Sequence, residues 1–571
     1  MKLFKRIVRY AKHPKGLLCF FVTMNMVPSL CLVFTEPLSV IGRIILLLMP
    51  LGVYLLLFAA FKRNGIMQLI LIPLLIFHAF QLVLFYLYGE SVIAADMFLN
   101  LPTTNVSEAG ELLNSLWPAI IIVCVLYIPT IILAGMATHY KVRLPSKFRH
   151  RLLVVGCALC IISLGLITVE KSSNKDYNVR DDLYPANIFY NLYYAVNKWE
   201  KSMNYPVTSK EFTFHAHRDT AHTNREIYVL VIGEASRATN WELCGYGRST
   251  NPHLREQENL ILFKDAITQS NTTHKSVPLI LSAADACHYE RLYTQKSIVT
   301  AFKEAGFKTV FLSNQIPNRS FTDYFASEAD VLINVRTPQE GGLLTINNYD
   351  QAMIPLMKHC IDSLSGNLFI VFHTYGSHFN YRERYPEGFG TFQPDNATEI
   401  EIKNKQELIN AYDNSILYTD YFLHELIQEL EQTQSDAVLL YSPDHGEDLL
   451  DDSRKKFLHA SPNPTYYQLH IPMLLWFSEP FKAARPGYFE AAMANCNSPV
   501  ATNVIFHTLL DLAQIQTPLW DSTCSIVNPG FQTRPRMYLN DHDQPVNYYH
   551  MGLKKQDREM IAKQRMDHRE K

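Results

Sequence analysis

Glu234, Asp444 and His445 together offer two carboxylates and an imidazole, the mixed oxygen and nitrogen donor set of a catalytic rather than a structural Zn2+ site. Such a site keeps one position open for a reactant. The segment Asn271-Thr-Thr-His-Lys-Ser-Val-Pro278 can fill that position with a hydroxyl. Thr272 or Thr273 would stand at a helix entrance, where unpaired backbone N–H groups favour an anion. A hydroxyl whose proton is loosened by a metal can attack phosphorus in line, which leaves a phosphothreonine. His378 and His459 could bind or protonate the phosphate and leaving groups, or hold a second metal, and His373 falls in the same region. Each piece also has a plainer use: Asp-His-Gly after a strand makes an N-capped turn, and a Thr at a helix start makes a cap.

Short β-branched apolar runs separated by helical stretches must bring these residues together. Ile227–Ile232, Thr309–Leu312, Leu368–Phe372, Ala437–Tyr441 and Ile471–Phe477 read as buried, largely parallel strands. Helix-like segments such as Gln295–Ala305 and Lys405–Gln432 lie between them. Glu234 follows the first strand, His373 and His378 the third, and Asp444 with His445 the fourth. In open α/β sheets the site forms at the carboxyl ends of the strands, so these positions are expected to converge.

The charge of the chain divides at about residue 169. The part before it carries 14 Lys and Arg against 5 Asp and Glu; the remainder carries 38 against 49. An acidic larger half excludes nucleic acid as a partner, because it repels a phosphate backbone. Five uncharged apolar runs approach the roughly 20 residues needed to span hydrocarbon: Gly16–Phe34, Ile44–Phe61, Ile66–Tyr88, Leu116–Met136 and Leu152–Val169. Lys and Arg cluster in the N-terminal arm, at Lys62 and Arg63, and in the loop from Lys141 to Arg151. Thr35–Ser39 and Gly89–Ser115 contain none. The positive-inside rule then places the N-terminus in the cytoplasm and everything after the fifth span outside it. The expected organisation is a membrane region over 1–169, a polar linker over 170–218, an extracytoplasmic catalytic domain over 219–550 and a charged tail over 551–571. Within the outer segment Ala95–Leu113, Asn100, Thr104 and Glu108 recur every four residues and would share a helical face, the pattern of a solvated stripe. Of the 10 cysteines, those outside the spans suggest by their order one disulfide, Cys496 with Cys524.

Several motifs, in order, resemble the phosphoethanolamine transferases, inner-membrane enzymes of the alkaline phosphatase and sulfatase superfamily that decorate lipopolysaccharide. They are Gly233-Glu-Ala-Ser-Arg237 with Asn240, Gly245-Tyr246-Gly-Arg248 and Thr250-Asn251-Pro252; Thr273 with Ser276-Val277-Pro278; His373-Thr-Tyr-Gly-Ser-His378 with Tyr385-Pro386; Asp444-His445-Gly446-Glu447; and Leu458-His459 with Pro472. The resemblance implies five membrane helices, an alkaline phosphatase-like α/β domain with a mostly parallel sheet, and Zn2+ held by Glu234, Thr273, Asp444 and His445. It implies Thr273 as nucleophile, since it stands five before Pro278 as the family nucleophile does. His378, His459 and His373 then fall to the phosphate or a second metal, and Asn100, Thr104 and Glu108 to a lipid head-group site. The implied reaction is ping-pong: phosphatidylethanolamine gives its head group to Thr273, and a phosphate or sugar hydroxyl of lipid A, core sugar or another envelope glycan takes it off. The implied location is a bacterial inner membrane with a periplasmic catalytic domain.

The sequence departs from lipid A modifying members in ways that bear on the acceptor. Ser270 and Asn271 stand where those members have a Cys shortly before the nucleophile, and Asn314-Gln315 begins the stretch where they carry Cys-Lys-Gly. A phosphoglycerol transferase or sulfatase-like hydrolase of the same superfamily is the alternative enzyme, although a sulfatase's Cys/Ser-x-Pro-x-Arg signature is not evident. A non-enzymatic envelope protein would tolerate loss of Thr273.

Overall fold

The computed structural model describes residues 10–36, 38–88, 93–103, 110, 116–174, 177–219, 223–336, 348–462, 464–550 and 555–569. The chain divides into two compact units, Met1–Ala95 with Leu116–Ala195, and Asp96–Ser115 with Val196–Lys571.

In the first unit, the helices Pro14–Thr35, Val40–Ala60, Trp117–His139 and Ser146–Ser173 are each long and apolar enough to cross a membrane. The expected third span is a bent pair, Asn64–Ile70 and Ile72–Leu87, with 60° between the halves. The bend follows from Pro73. Its ring clashes with the carbonyl four residues back and it has no N–H to offer, so the first helix ends just before it. Counting the pair as one gives five spans. Val40–Ala60 packs closely on Ser146–Ser173 because both present glycine at the crossing. A Cβ at Gly52 would meet Cys160 Sγ at 2.8 Å, and one at Gly156 would meet the Gly52 carbonyl at 3.0 Å.

The stretch expected as a linker holds the end of Ser146–Ser173 and a helix, Ala186–Met203. Phe189, Tyr193, Val196 and Trp199 recur at helical spacing and leave an exposed apolar stripe. That period is the signature of a helix that a composition-based reading passes over.

The second unit is built on an eight-stranded sheet. Its strands are β1 (Glu226–Gly233), β2 (Leu260–Ile267), β3 (Lys308–Ser313), β4 (Val331–Asn334), β5 (Leu368–His373), β6 (Asp436–Pro443), β9 (His470–Phe477) and β10 (Val500–Ala501); β7 (Asp448–Leu449) and β8 (Phe457–Leu458) form a separate ribbon. The order across the sheet is β10-β2-β9-β6-β1-β5-β3-β4. All pairs are parallel except those of β9 with β2 and β6. β1, β5 and β6 are buried along their whole length, which is why they read as unbroken apolar runs. Parallel register aligns their ends, with Ile232 opposite His373 and Gly233 opposite Pro443. At the other end of the sheet, Arg485 bridges Glu226 at 2.7 Å and Asp436 at 2.8 Å, and so neutralises the carboxylates that open β1 and β6.

Cys496 and Cys524 do not form the expected disulfide: both are free thiols. Cys524 is buried with its Sγ 3.8 Å from Asp521 Oδ2, and Cys496 stands at the C-cap of the helix Pro486–Asn495.

Candidate active site

Just beyond the aligned ends of β1 and β6, Glu234, Asp444 and His445 are buried with ligand atoms all within 4.8 Å of one another. His445 Nε2 lies 3.4 Å from Glu234 Oε1 and 3.3 Å from Asp444 Oδ2. Asp444 Oδ1 accepts from the backbone N–H groups of Ala235 and His445, whereas its buried Oδ2 accepts no hydrogen bond. His445 Nδ1 sits 2.9 Å from the Gly446 carbonyl, which can only accept, so the proton is on Nδ1 and the Nε2 lone pair faces the carboxylates. Burial lowers the His445 pKa and keeps the ring neutral. An orphaned carboxylate oxygen, a second carboxylate and a bare imidazole nitrogen converging in a buried space fit a divalent cation.

Thr273 brings a hydroxyl to this cluster. It opens the helix Thr273–Ile280, and its hydroxyl lies 3.1 Å from His445 Nε2 and 3.4 Å from each Glu234 oxygen. Thr272 is the extended N-cap residue and turns its hydroxyl to Ser270 Oγ at 3.1 Å, so only Thr273 enters the site. Thr268 and Ser276 both donate to the Asp444 carbonyl, at 2.6 and 2.5 Å, which ties the helix Thr273–Ile280 to the end of β6.

The histidines continue the site. His459 packs against His445 with ring centres 4.0 Å apart and planes tilted by 35°, and the His378 ring centre lies 6.3 Å from that of His459. His378 Nδ1 is 2.6 Å from the Phe379 carbonyl, which fixes its proton there and leaves Nε2 as an acceptor. His373 ends β5, buried, with no hydrogen bond at Nε2. Burial lowers all three: His373 and His459 to about 4, and His378 well below its ordinary value with help from Arg384 and His459. They are therefore neutral at neutral pH. Asn100 lies on the helix Ala95–Thr103; its side chain, Thr104 and Glu108 lie outside the described residues.

Several further residues support the site through contacts that sequence spacing does not show. Ala235 is held at φ 53°, a left-handed conformation unfavourable for a residue with a Cβ. Tyr412 fixes it from the long helix Lys405–Gln432, donating to the Ala235 carbonyl at 2.7 Å and accepting from Arg237 N–H at 2.9 Å. Gln315 Nε2 donates to the Thr374 carbonyl at 2.9 Å and reaches Glu234 Oε2 at 3.4 Å. Asp350 accepts from the Tyr375 and Gly376 N–H groups and so shapes the loop after β5. Gly376, at φ 45°, passes so close that a Cβ would meet Glu234 N and O at 2.9 Å each. Gly376→Ala is therefore expected to cost about 1–3 kcal/mol and to lower metal content, checked by thermal unfolding and elemental analysis of the purified protein.

Comparison with known proteins gives the family. Residues 226–515 match the family model described as Sulfatase, and residues 51–199 the one described as Phosphoethanolamine transferase EptA/EptB. The chain belongs to the sulfatase family, in the branch that joins a sulfatase-type domain to a phosphoethanolamine transferase membrane region. It is similar to the phosphoethanolamine transferase EptC of Escherichia coli O18:K1:H7, 26% identical over 80% of this chain and 81% of that one. The C-terminal periplasmic domain of Escherichia coli EptC in complex with Zn superposes with a TM-score of 0.53 at 27% identity, over 59% of this chain and 96% of that domain. The integral membrane lipooligosaccharide phosphoethanolamine transferase A of Neisseria meningitidis shares the fold, with a TM-score of 0.71 and 22% identity over 89% of this chain and 98% of that one. The protein is a multi-pass membrane protein with a sulfatase-like C-terminal domain.

Proposed function

We propose that the protein transfers phosphoethanolamine from phosphatidylethanolamine to lipid A or another lipopolysaccharide glycan, at the periplasmic face of a bacterial inner membrane. The observation that carries this reading is the Thr273 hydroxyl, the one hydroxyl brought among Glu234, His445 and Asp444. The similarity to EptC and to its zinc complex supports both the transferred group and the metal.

Glu234, Thr273, Asp444 and His445 would hold Zn2+, which as a Lewis acid favours the ionised hydroxyl and offsets negative charge in the transition state. In the first half-reaction Thr273 Oγ1 bonds to phosphorus as the bond to the diacylglycerol oxygen breaks; the hydroxyl proton leaves and the departing oxygen gains one. The N-terminus of the nucleophile helix faces the phosphoryl oxygens with its free N–H groups. His378, whose Nε2 carries no proton before reaction, binds those oxygens only once it is protonated there, and His459 lies beside it. In the second half-reaction His378 Nε2 takes the proton of the acceptor hydroxyl as that oxygen bonds to phosphorus and the bond to Thr273 Oγ1 breaks; the proton then passes to Oγ1, which restores the hydroxyl and the neutral ring. Asn100, Thr104 and Glu108 bind the ethanolamine head group in this reading.

The acceptor is tested by mass spectrometry of envelope lipids and glycans from cells with and without the gene. Phosphoethanolamine added to lipid A or core sugar is the expected result, and its absence from both contradicts the proposal.

A further inference from the structure

Directly behind Thr273, the same helix presents a second set of charges that the transfer reaction does not use. Thr273 and Lys275 are about 200° apart around the helix, so Thr273 faces the site and Lys275 the opposite side. Lys275 Nζ lies 2.5 Å from Asp96 Oδ2 and 2.9 Å from Asp543 Oδ1. Lys198 completes the cluster, 2.7 Å from Asp543 and 3.8 Å from Asp96. His274 Nε2 is 3.3 Å from Asp96 Oδ1, and the Asp96 N–H donates to Asp541 Oδ1 at 3.0 Å. All of these residues belong to the second unit.

Lys275 is an unusual choice at its position. Its side chain is 1% exposed, in the first turn of a helix whose dipole disfavours a cation there. Burial and dipole both oppose the charge, so it persists only because two carboxylates from distant parts of the chain meet it. Burial pushes the Asp96 carboxyl up, and the Lys275 and Lys198 ammoniums outweigh it and hold Asp96 below the usual carboxylate range. The two lysines and two aspartates balance. Such a buried set specifies one arrangement of the segments that supply it rather than adding much stability. Four segments meet here: the helix Ala95–Thr103, which carries Asn100, the nucleophile helix, the end of the helix Ala186–Met203 that carries Lys198, and the loop from Asn540 to Asp543, whose Asn540 carbonyl also accepts from Lys275 Nζ at 3.1 Å.

We propose that Asp96 is a positioning residue for the transfer reaction: by clamping Lys275 and His274 it locks the first turn of the nucleophile helix to the helix Ala95–Thr103, so that Thr273 and the Asn100 segment are held in one register. The inference deepens the transfer reading and rests on it for the identity of the reaction. Asp96 meets Lys275 and His274, the two residues that follow Thr273, and so acts through the helix that carries Thr273.

Two readouts on the full chain in detergent micelles test the clamp. In Asp96→Asn, amide hydrogen exchange over 273–280 and 95–103 is expected to rise together by about tenfold or more. Release of diacylglycerol from fluorescent phosphatidylethanolamine should show kcat lowered about 10- to 100-fold, with KM changed far less. Asp541→Ala, which leaves all four charges in place and removes the acceptor of the Asp96 N–H, is the milder variant should Asp96→Asn fail to fold. It is expected to act in the same direction. Unchanged exchange over 273–280, or lower thermal stability with unchanged kcat per folded molecule, overturns the clamp. Faster exchange supports it whatever the donor proves to be; wild-type protein silent toward phosphatidylethanolamine would then contradict the transfer reading and not the clamp.

Discussion

Thr273→Ala protein is expected to lose transfer from phosphatidylethanolamine by about 10³-fold or more, while Thr272→Ala stays within a few-fold of wild type. The contrast follows from geometry. The Thr273 hydroxyl is 3.1 Å from His445 Nε2, whereas the Thr272 hydroxyl points to Ser270. Thr273→Ser keeps the oxygen and the helix start and is expected to retain most of the activity. Release of fluorescent diacylglycerol measures all three. Equal losses in the 272 and 273 variants would mean that the helix entrance matters but not a particular oxygen.

The second large effect concerns the cation. Asp444→Asn replaces the one carboxylate oxygen in the cluster that accepts no hydrogen bond with a neutral amide and keeps the shape. Bound zinc is expected to fall to near zero in this variant, and activity by about 10³-fold. Chelation of the wild-type protein should give the same loss, reversed by added zinc. Elemental analysis beside the transfer assay separates the cases: an active Asp444→Asn protein without metal would remove the cation from the reaction.

Much of the site could be read from the sequence because its residues stand one or two positions beyond strands that are themselves conspicuous. β1, β5 and β6 are buried on both faces, so Ile227–Ile232 and its neighbours appear as plain apolar runs, and the parallel register does the rest. β2 was not legible, since Lys264 and Asp265 interrupt its apolar run where the pairing with β9 shifts between Phe263 and Ala266. β10, at two residues, is too short to have a pattern. Hydropathy found the third membrane segment as a length of apolar chain, but it is blind to the bend that Pro73 imposes. Tyr412 and Asp350 escaped altogether, and Gln315 stood out only as a departure from a family motif, not as a neighbour of Glu234. Each acts on a backbone group or side chain far away in sequence, and nothing in its own neighbourhood marks it. The pairing of Lys275 with Asp96 is hidden for the same reason, the partners standing 179 residues apart where spacing cannot relate them.

The central claim is that Thr273 itself becomes the carrier of the transferred group. Protein mixed with phosphatidylethanolamine in the absence of acceptor, then digested and fragmented in a mass spectrometer, should carry phosphoethanolamine on Thr273. Modification of a different residue, or steady release of diacylglycerol in the presence of acceptor with no modified residue at any time, would contradict it.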